Sequence, residues 1–285
     1  VINPERKIQA LIYYPLTNGR NVDEIMRLLD SLQTSAKNGV ATPCNWRPGE
    51  RVIVPPPKTV EALKERMART DMEHIDFYLD FVSPYAWLAL EQLPQALQGL
   101  SYHVSYKPVL LGALVKQYGH GGPAAIAPKR DWTYRHVAWL GHSLGVGLQM
   151  PAQHPFSPVP LLGLALATSV DGCISRHVAR EVMCHVWHGG HDALAPERLQ
   201  ALQQRLTLRH EPGADAVRAQ LRQNTRQALA AGVFGVPTWV VEGRVFWGLD
   251  ALPLLRACLA GDPWLDTHWD SVPQVTNGLG LGRES

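Results

Sequence analysis

The stretch from His74 to Ala86 has the sequence His-Ile-Asp-Phe-Tyr-Leu-Asp-Phe-Val-Ser-Pro-Tyr-Ala. Apolar and polar side chains alternate as far as residue 82, a pattern typical of a β-strand with one buried face. Ser83 and Pro84 then stand where the N-cap and the first residue of a helix are favoured. Apolar residues at helical spacing follow at Ala86, Ala89, Leu90, Leu93 and Leu97. The sequence therefore predicts a strand that leads directly into a helix.

The residues that follow supply the other elements of one fold class. A second strand is predicted at residues 100–109, and residues 112–232 are mostly helical in pattern. A β-hairpin at residues 239–247, with a tight turn at residues 243–244, precedes a closing helix at residues 250–259. Core candidates of the helical block include Trp132, Trp139 and Leu140. This order predicts an α/β, thioredoxin-like fold with a large helical insertion.

Composition and charge exclude several classes of protein. The 285 residues carry 27 basic and 25 acidic side chains, a net charge of +2, and 46% of the residues are apolar. So small an excess of charge offers no broad basic surface for nucleic acid. No apolar run reaches the roughly 18 residues that a membrane span needs. We therefore expect a globular, cytoplasmic protein without nucleic-acid or membrane partners.

The cysteines Cys44, Cys173, Cys184 and Cys258 form neither a C-x-x-C motif nor a zinc-like pairing. Cys173 and Cys184 are predicted to share one helix, where a separation of roughly 16 Å excludes a disulfide. The histidines show no metal-ligand spacing, and those within residues 185–191 are interpreted as a solvated helix end. We expect small, buried, reduced cysteines, no dithiol redox centre and no metal site.

The chain changes in composition near residue 71. Residues 1–71 have a net charge of +3 and residues 72–285 a net charge of −1, and a proline run at residues 55–57 precedes the change. In the first part we predict a strand at residues 8–14, an amphipathic helix at residues 21–37 and a strand at residues 51–54. The predicted organisation is a segment at residues 1–57, a linker at residues 58–71, a domain at residues 72–261 and a tail at residues 262–285.

The strand–helix junction is a candidate active site. Thioredoxin-like redox proteins carry a C-x-x-C motif at this junction, whereas this chain has Ser83 and Ala86 at the two cysteine positions. A helix N-terminus favours an anion, and the Ser83 hydroxyl could donate a hydrogen bond to a thiolate bound there. Such surroundings lower a thiol pKa from about 8.5 toward neutrality. The alternative is that Ser83 only caps its helix, and the two roles are compatible.

Two positions near the C-terminal hairpin are binding candidates. A cis bond between Val236 and Pro237 would expose backbone groups that can pair with an extended peptide. The alternative is a trans proline that opens an edge strand. Asp250 either caps the closing helix or holds the charged amino group of a ligand.

The N-terminal segment carries a first family resemblance. It contains Tyr14-Pro-Leu-Thr-Asn-Gly-Arg-Asn-Val-Asp-Glu-Ile, Val40-Ala-Thr-Pro-Cys-Asn-Trp-Arg-Pro-Gly-Glu and Val52-Ile-Val-Pro-Pro-Pro. On these motifs residues 1–57 resemble the C-terminal part of one-cysteine peroxiredoxins, which extends that fold and helps to build a dimer. The resemblance implies a homodimer. The peroxidatic cysteine of that family belongs to an upstream domain, and Cys44 lacks its motif, so we expect no peroxidase activity.

Motifs across residues 72–260 carry a second resemblance. They are Asp76-Phe-Tyr-Leu-Asp-Phe-Val-Ser-Pro-Tyr-Ala-Trp-Leu-Ala, Leu110-Leu-Gly, Lys116-Gln-Tyr-Gly, Pro128-Lys-Arg, His154-Pro-Phe-Ser-Pro, Gly232-Val-Phe-Gly-Val-Pro-Thr and Phe246-Trp-Gly-Leu-Asp. On these motifs the domain is similar to 2-hydroxychromene-2-carboxylate isomerases, which are related to kappa-class glutathione transferases and to the oxidoreductase DsbA.

The second resemblance implies glutathione as the cofactor and assigns roles to six residues. Ser83 would be the catalytic serine beside the glutathione sulfur. The glutathione-binding residues would be Val236, Pro237 and Asp250. Substrate-binding residues would be Lys116 and His154, for which a solvated surface lysine and a structural histidine are the alternatives. The sequence departs from the family at Ala251, where an arginine is common, and at His136, where an acid is expected.

The implied reaction is the cis–trans isomerisation of a small aromatic substrate in aromatic degradation. Glutathione thiolate adds to a conjugated double bond, the resulting single bond rotates, and elimination restores the alkene. One alternative is a kappa-like glutathione transferase or oxidoreductase. A second is a non-catalytic glutathione-binding or assembly protein. Ser83 and Ala86 argue against a dithiol oxidoreductase.

Overall fold

The structure is a computed structural model in which the chain forms two compact units, Val1–Asp71 and Met72–Ser285. It describes residues 2–3, 6–10, 21–38, 41–43, 46–47, 73–119, 121–122 and 125–272. The predicted linker at residues 58–71, the predicted strand at residues 51–54 and Cys44 lie outside these residues, as do residues 11–14 of the first predicted strand. None of the helices in the described ranges is long and apolar enough to cross a membrane.

The first unit contains helix α1, Val22–Asn38, close to the predicted bounds. Asn21 begins it, because its side-chain oxygen accepts a hydrogen bond of 3.1 Å from the Glu24 N–H. Acidic residues in the first turn and Lys37 in the last complement the helix dipole. The Arg27 guanidinium joins the Glu24 carboxylate to the Trp46 carbonyl, at 2.6 and 3.2 Å. The predicted helix is confirmed.

The second unit is built on a four-stranded mixed sheet. Its strands are β1 Glu73–Leu79, β2 Tyr102–Pro108, β3 Thr238–Val241 and β4 Arg244–Trp247. The spatial order is β2-β1-β3-β4, with β1 and β2 parallel and the other pairs antiparallel. Glu242 and Gly243 form the hairpin turn, both with positive φ as a type I′ turn requires. The turn therefore lies one residue earlier than predicted.

Helices cover the sheet and fill the long connection from β2 to β3. They are α2 Pro84–Ala96, α3 Leu111–Gln117, α4 Ala127–Ser143, α5 Val159–Leu166, α6 Arg176–Trp187, α7 Pro196–Arg205, α8 Asp215–Ala230, α9 Leu252–Leu259 and α10 Pro263–His268, with a 3₁₀ turn at Leu249–Ala251. The order of elements is the predicted one. Cys173 precedes α6, whereas Cys184 lies within it, so the prediction that they share a helix is wrong.

The main core lies between the sheet and the inner faces of α2, α5 and α6. Phe77 of β1 stacks on Trp239 of β3 with 5.3 Å between ring centroids. Tyr106 of β2 contacts the Phe77 ring edge-on at 5.8 Å. Trp132 and Trp139 of α4 are instead 57% and 61% exposed. Their prediction as core residues is wrong, because the buried positions of α4 are Val137 and Gly141.

The beginning of the predicted tail packs on the hairpin. Asp262 caps α10 through its side chain, and Leu265 is buried. The ring of Trp269 contacts that of Phe246 at 5.1 Å, and Arg244 pairs with Asp266 at 3.2 Å. Residues as far as 272 therefore continue the domain beyond residue 261.

We predict that Trp239→Ala destabilises the fold by about 3–5 kcal/mol, because it removes a fully buried ring from the centre of the sheet. Within the described part of the chain, the indole N–H of Trp239 is buried without a hydrogen-bond partner. Trp239→Phe should therefore cost much less, since it keeps the stack on Phe77 and removes the unpaired donor. Chemical denaturation followed by circular dichroism measures both.

The control is Trp264→Ala, which shortens a half-exposed side chain of α10 and should change the free energy of unfolding by about 0.5 kcal/mol or less. Equal losses for Trp239→Ala and Trp264→Ala would contradict the central packing role of Trp239.

Candidate active site

Ser83 occupies the N-cap of α2, at the end of the turn that leaves β1. Its side-chain oxygen accepts a hydrogen bond of 3.3 Å from the Ala86 N–H, so the interpretation as a helix cap is confirmed. The hydroxyl also donates to the Val236 carbonyl, at 3.4 Å. This distance is long for an O–H···O bond, so the hydroxyl can turn to a better acceptor at little cost. Only 5% of the residue is exposed.

Val236 and Pro237 face the start of α2 across that contact. Their peptide bond is cis, as the sequence interpretation proposed. The alternative of an edge strand is wrong, because β3 pairs with β1 on one side and with β4 on the other. The Pro237 carbonyl accepts a hydrogen bond of 2.9 Å from the Gly248 N–H, which ties the loop to the end of β4.

A buried carboxyl group, that of Asp80, lies in the turn beneath Ser83. It accepts hydrogen bonds from the backbone N–H groups of Val82, at 3.3 Å, and Leu111, at 2.8 Å. Burial raises the pKa of Asp80 to about 7, against the opposing effect of these donors. The alternation of β1 had placed Asp80 on a polar face. A second apolar cluster around Val109 and Val233 covers that face, so both sides of the strand end are buried.

His154 lies against the same turn and is half-buried. Its Nε2 is 2.8 Å from the Val82 carbonyl oxygen, and its Nδ1 is 2.8 Å from the Tyr134 hydroxyl. Burial lowers the pKa of His154, so the imidazole is neutral near pH 7. Because both ring nitrogens bind protein atoms, the contacts favour a structural role for His154 over a substrate contact.

The comparison with protein families agrees with this geometry. The model of the DSBA-like thioredoxin domain matches residues 74–260, which is well over half of the chain. The chain belongs to this family. A solved structure of a 2-hydroxychromene-2-carboxylate isomerase superposes with a TM-score of 0.57 and 23% identity, covering 68% of this chain and 98% of that one. At such identity the likeness shows the fold, and it confirms the thioredoxin-like fold with a helical insertion.

The N-terminal resemblance is also confirmed. The model of the C-terminal domain of 1-Cys peroxiredoxin matches residues 31–68. A peroxiredoxin of Methanosarcina mazei is 52% identical over 71 residues, which are 25% of this chain and 32% of that protein. The 1-Cys peroxiredoxin A of Oryza sativa is 47% identical over 66 residues, 23% of this chain and 30% of that protein. The chain thus spans about a third of these relatives' length.

Asp250 and Lys116, the two other predicted binding residues of the DsbA-like domain, are both exposed. Asp250 lies in the 3₁₀ turn after β4, and the N-cap of α9 is Ala251, which makes no side-chain cap, so the interpretation of Asp250 as a cap is wrong. The 3₁₀ turn that holds Asp250 packs against α2. Burial and then the charge of Asp250 raise the pKa of Tyr85 in the first turn of that helix. Lys116 lies in the last turn of α3. The N–H group that binds Asp80 belongs to Leu111, at the other end of that helix.

Aromatic side chains, most of them exposed, form two groups on the DsbA-like domain that the sequence did not assign to the site. In the first group, the Tyr85 hydroxyl is 2.9 Å from His136 Nδ1, and His136 stacks on Trp132 at 4.5 Å and lies 6.4 Å from Trp139. The helical spacing of residues 132, 136 and 139, which places them on one face of α4, could have predicted this group from the sequence. The second group has Phe234 at 5.0 Å from Trp247 and 6.4 Å from Tyr118.

The cysteines that the structure describes, Cys173, Cys184 and Cys258, are free and half-buried. Burial raises the pKa of each thiol, so they are poor nucleophiles near neutral pH. His185 is buried and its Nε2 lies 2.8 Å from the Ala193 carbonyl oxygen, so the interpretation as a solvated helix end is wrong for this residue. Among the described residues, no group of three or more His, Cys, Asp or Glu could hold a metal ion.

We predict that Asp80 makes stability fall as the pH rises from 4 to 7. The folded-state pKa of about 7 lies above the unfolded value, so the folded protein binds the extra proton and loses up to about 4 kcal/mol on ionisation. Asp80→Asn should abolish this part of the pH dependence. Urea unfolding at several pH values measures the free energy of unfolding of the wild type and of the variant. The difference between these two free energies should stop changing above pH 7.

Asp131→Asn, on the exposed surface of α4, is the control and should keep the wild-type pH profile. A pH profile of Asp80→Asn parallel to that of the wild type would show that the Asp80 carboxyl titrates normally.

Proposed function

We propose that the DsbA-like domain binds glutathione with its sulfur at Ser83 and catalyses the cis–trans isomerisation of a conjugated aromatic carboxylate, of the 2-hydroxychromene-2-carboxylate type. The observation that carries the proposal is the Ser83 hydroxyl, which is buried at the start of α2 and points toward the Val236 carbonyl. A cysteine pair at this place would supply its own sulfur. With a serine there, the sulfur of a thiol reaction would have to arrive with a ligand.

The start of α2 can stabilise a thiolate in two ways. The positive end of the helix dipole favours the anion, and Ser83 can turn its hydroxyl from the Val236 carbonyl to the sulfur. The oxygen continues to accept from the Ala86 N–H, so the cap survives this change. Both effects lower the pKa of the glutathione thiol and raise the fraction of thiolate near neutral pH.

The tripeptide would lie along the loop that faces Ser83. The backbone N–H and carbonyl of Val236 would pair with its peptide groups, and Pro237 would pack against it. The exposed carboxylate of Asp250 would bind the ammonium group of the γ-glutamyl end.

The reaction then needs only the thiolate and a bound substrate. The hemiketal ring of a 2-hydroxychromene-2-carboxylate first opens to a benzylidenepyruvate, which frees a phenol and a keto group. The thiolate attacks the β-carbon of the double bond conjugated to that keto group, and the electron pair of the double bond moves onto the keto oxygen as an enolate. Rotation about the new single bond follows. The enolate then expels the thiolate, which restores the double bond in the other geometry and leaves glutathione unchanged.

An aromatic carboxylate fits the surroundings of this site. The exposed rings of Trp132, Trp139 and Trp247 can stack on a planar substrate. Lys116 carries an exposed positive charge on the helix that follows β2 and would bind the substrate carboxylate.

We predict that Ser83→Ala lowers kcat/KM for the chromene carboxylate in the presence of glutathione by about 100-fold, because it removes one hydrogen-bond donor to the reacting charge. Glutathione binding, measured by calorimetry, should weaken much less, since the contacts of the tripeptide remain.

Ser175→Ala is the matched control, because Ser175 also caps a helix through its side chain, at 3.2 Å from the Val178 N–H. Both variants should lose about 1 kcal/mol of stability, but only Ser83→Ala should lose activity. Turnover of a generic electrophile without isomerisation would favour a kappa-like transferase, and glutathione binding without any turnover would favour a non-catalytic protein.

We predict that a variant with all four cysteines replaced by serine or alanine keeps at least half of the isomerase activity when glutathione is supplied. The reacting sulfur in this mechanism belongs to glutathione, and burial raises the thiol pKa values of the described cysteines. Loss of activity in a variant that folds normally would mean that a protein thiol takes part in the reaction.

A further inference from the structure

The peptide group between Val82 and Ser83 is held at both ends. Its N–H, that of Ser83, donates to the Asp80 carbonyl at 3.1 Å. Its carbonyl, that of Val82, lies 2.8 Å from His154 Nε2. Because a peptide group is planar, these two bonds fix its orientation, and they fix with it the position of the Ser83 Cα atom that carries the hydroxyl side chain.

The hydrogen bond to Val82 requires one tautomer of His154. A carbonyl oxygen only accepts, so Nε2 must carry the proton, and in the neutral ring Nδ1 is then an acceptor. The Tyr134 hydroxyl lies 2.8 Å from Nδ1 and 2.9 Å from the His154 carbonyl oxygen. Both of these atoms are acceptors, so they share the single hydroxyl hydrogen of Tyr134 in a bifurcated bond, which favours the tautomer with the proton on Nε2.

The other neighbours of His154 hold the ring without competing for its nitrogens. Phe156 and Trp187 contact it at 6.2 and 5.6 Å between ring centroids, and the Tyr134 ring meets it edge-on at 5.3 Å. The imidazole is therefore confined among aromatic rings and oriented by two hydrogen bonds, one on each nitrogen.

We propose that Tyr134 and His154 are a positioning pair that orients the Val82–Ser83 peptide group and, through it, the Ser83 hydroxyl. The inference rests on the proposed role of Ser83 only for its effect on glutathione. Without the Tyr134 hydroxyl the proton can move to Nδ1, and Nε2 would then turn a lone pair toward the Val82 carbonyl. The peptide group would lose its hydrogen bond, and Ser83 would no longer be held toward the sulfur position.

The first test measures amide hydrogen exchange at Ser83 in the free protein and does not depend on glutathione. Tyr134→Phe should accelerate exchange at Ser83 about tenfold, the loss expected for one hydrogen bond, and His154→Leu by at least as much. His154→Gln should restore slow exchange, since its amide N–H can donate to the Val82 carbonyl. Tyr102→Phe, at the opposite end of the β1–β2 pair from Ser83, is the control and should leave exchange unchanged.

The second test measures the pKa of bound glutathione by ultraviolet absorbance of its thiolate. Tyr134→Phe and His154→Leu should raise this pKa by about one unit, and His154→Gln and Tyr102→Phe should not. Unchanged amide exchange at Ser83 in folded Tyr134→Phe and His154→Leu would overturn the positioning pair. If exchange responds as expected but the wild type does not lower the glutathione pKa, the positioning pair stands and the proposed function of Ser83 fails.

Discussion

The buried carboxyl group of Asp80 is the constraint on which the site depends. A carboxyl group removed from water must find hydrogen-bond donors inside the fold, and here they are the backbone N–H groups of Val82 and Leu111. These two donors belong to the turn before α2 and to the start of α3. One side chain thus joins the end of β1 to the beginnings of both helices, and the resulting turn places Ser83 opposite Val236.

Under the proposed function, the same turn would set the electrostatics for a bound thiolate. A carboxylate beneath the start of α2 would oppose a second negative charge there, whereas a protonated Asp80 does not. Because burial raises the pKa of Asp80 to about 7, a thiolate at Ser83 would favour the protonated form further. The two groups are therefore expected to titrate together, with one negative charge shared between the carboxyl group and the sulfur near neutral pH.

The elements of the fold could be predicted from sequence because local signals and tertiary structure agree. The alternation of apolar and polar residues predicted β1, and Ser83 and Pro84 predicted the start of α2. Asp80 could not be predicted as buried, since alternation assumes one solvated face and a second cluster covers it. Trp132 looked like a core residue because helical periodicity does not tell which face turns inward. The partners of His154 come from segments that only the folded chain brings together.

In the proposed function, thiolate activation and substrate choice would be carried by different parts of this domain. The groups that orient Ser83 are buried or half-buried and bind backbone atoms, so they do not contact the electrophile. The rings of Trp132 and Trp139 are exposed, and His136 connects them to the Tyr85 hydroxyl at 2.9 Å. His136 is also a position where this chain departs from the isomerase pattern. Under the proposed function, a change there would alter the surface that meets the substrate while the hydrogen bonds around Ser83 remain, so proteins with the same thiolate chemistry could differ in the electrophile that they accept.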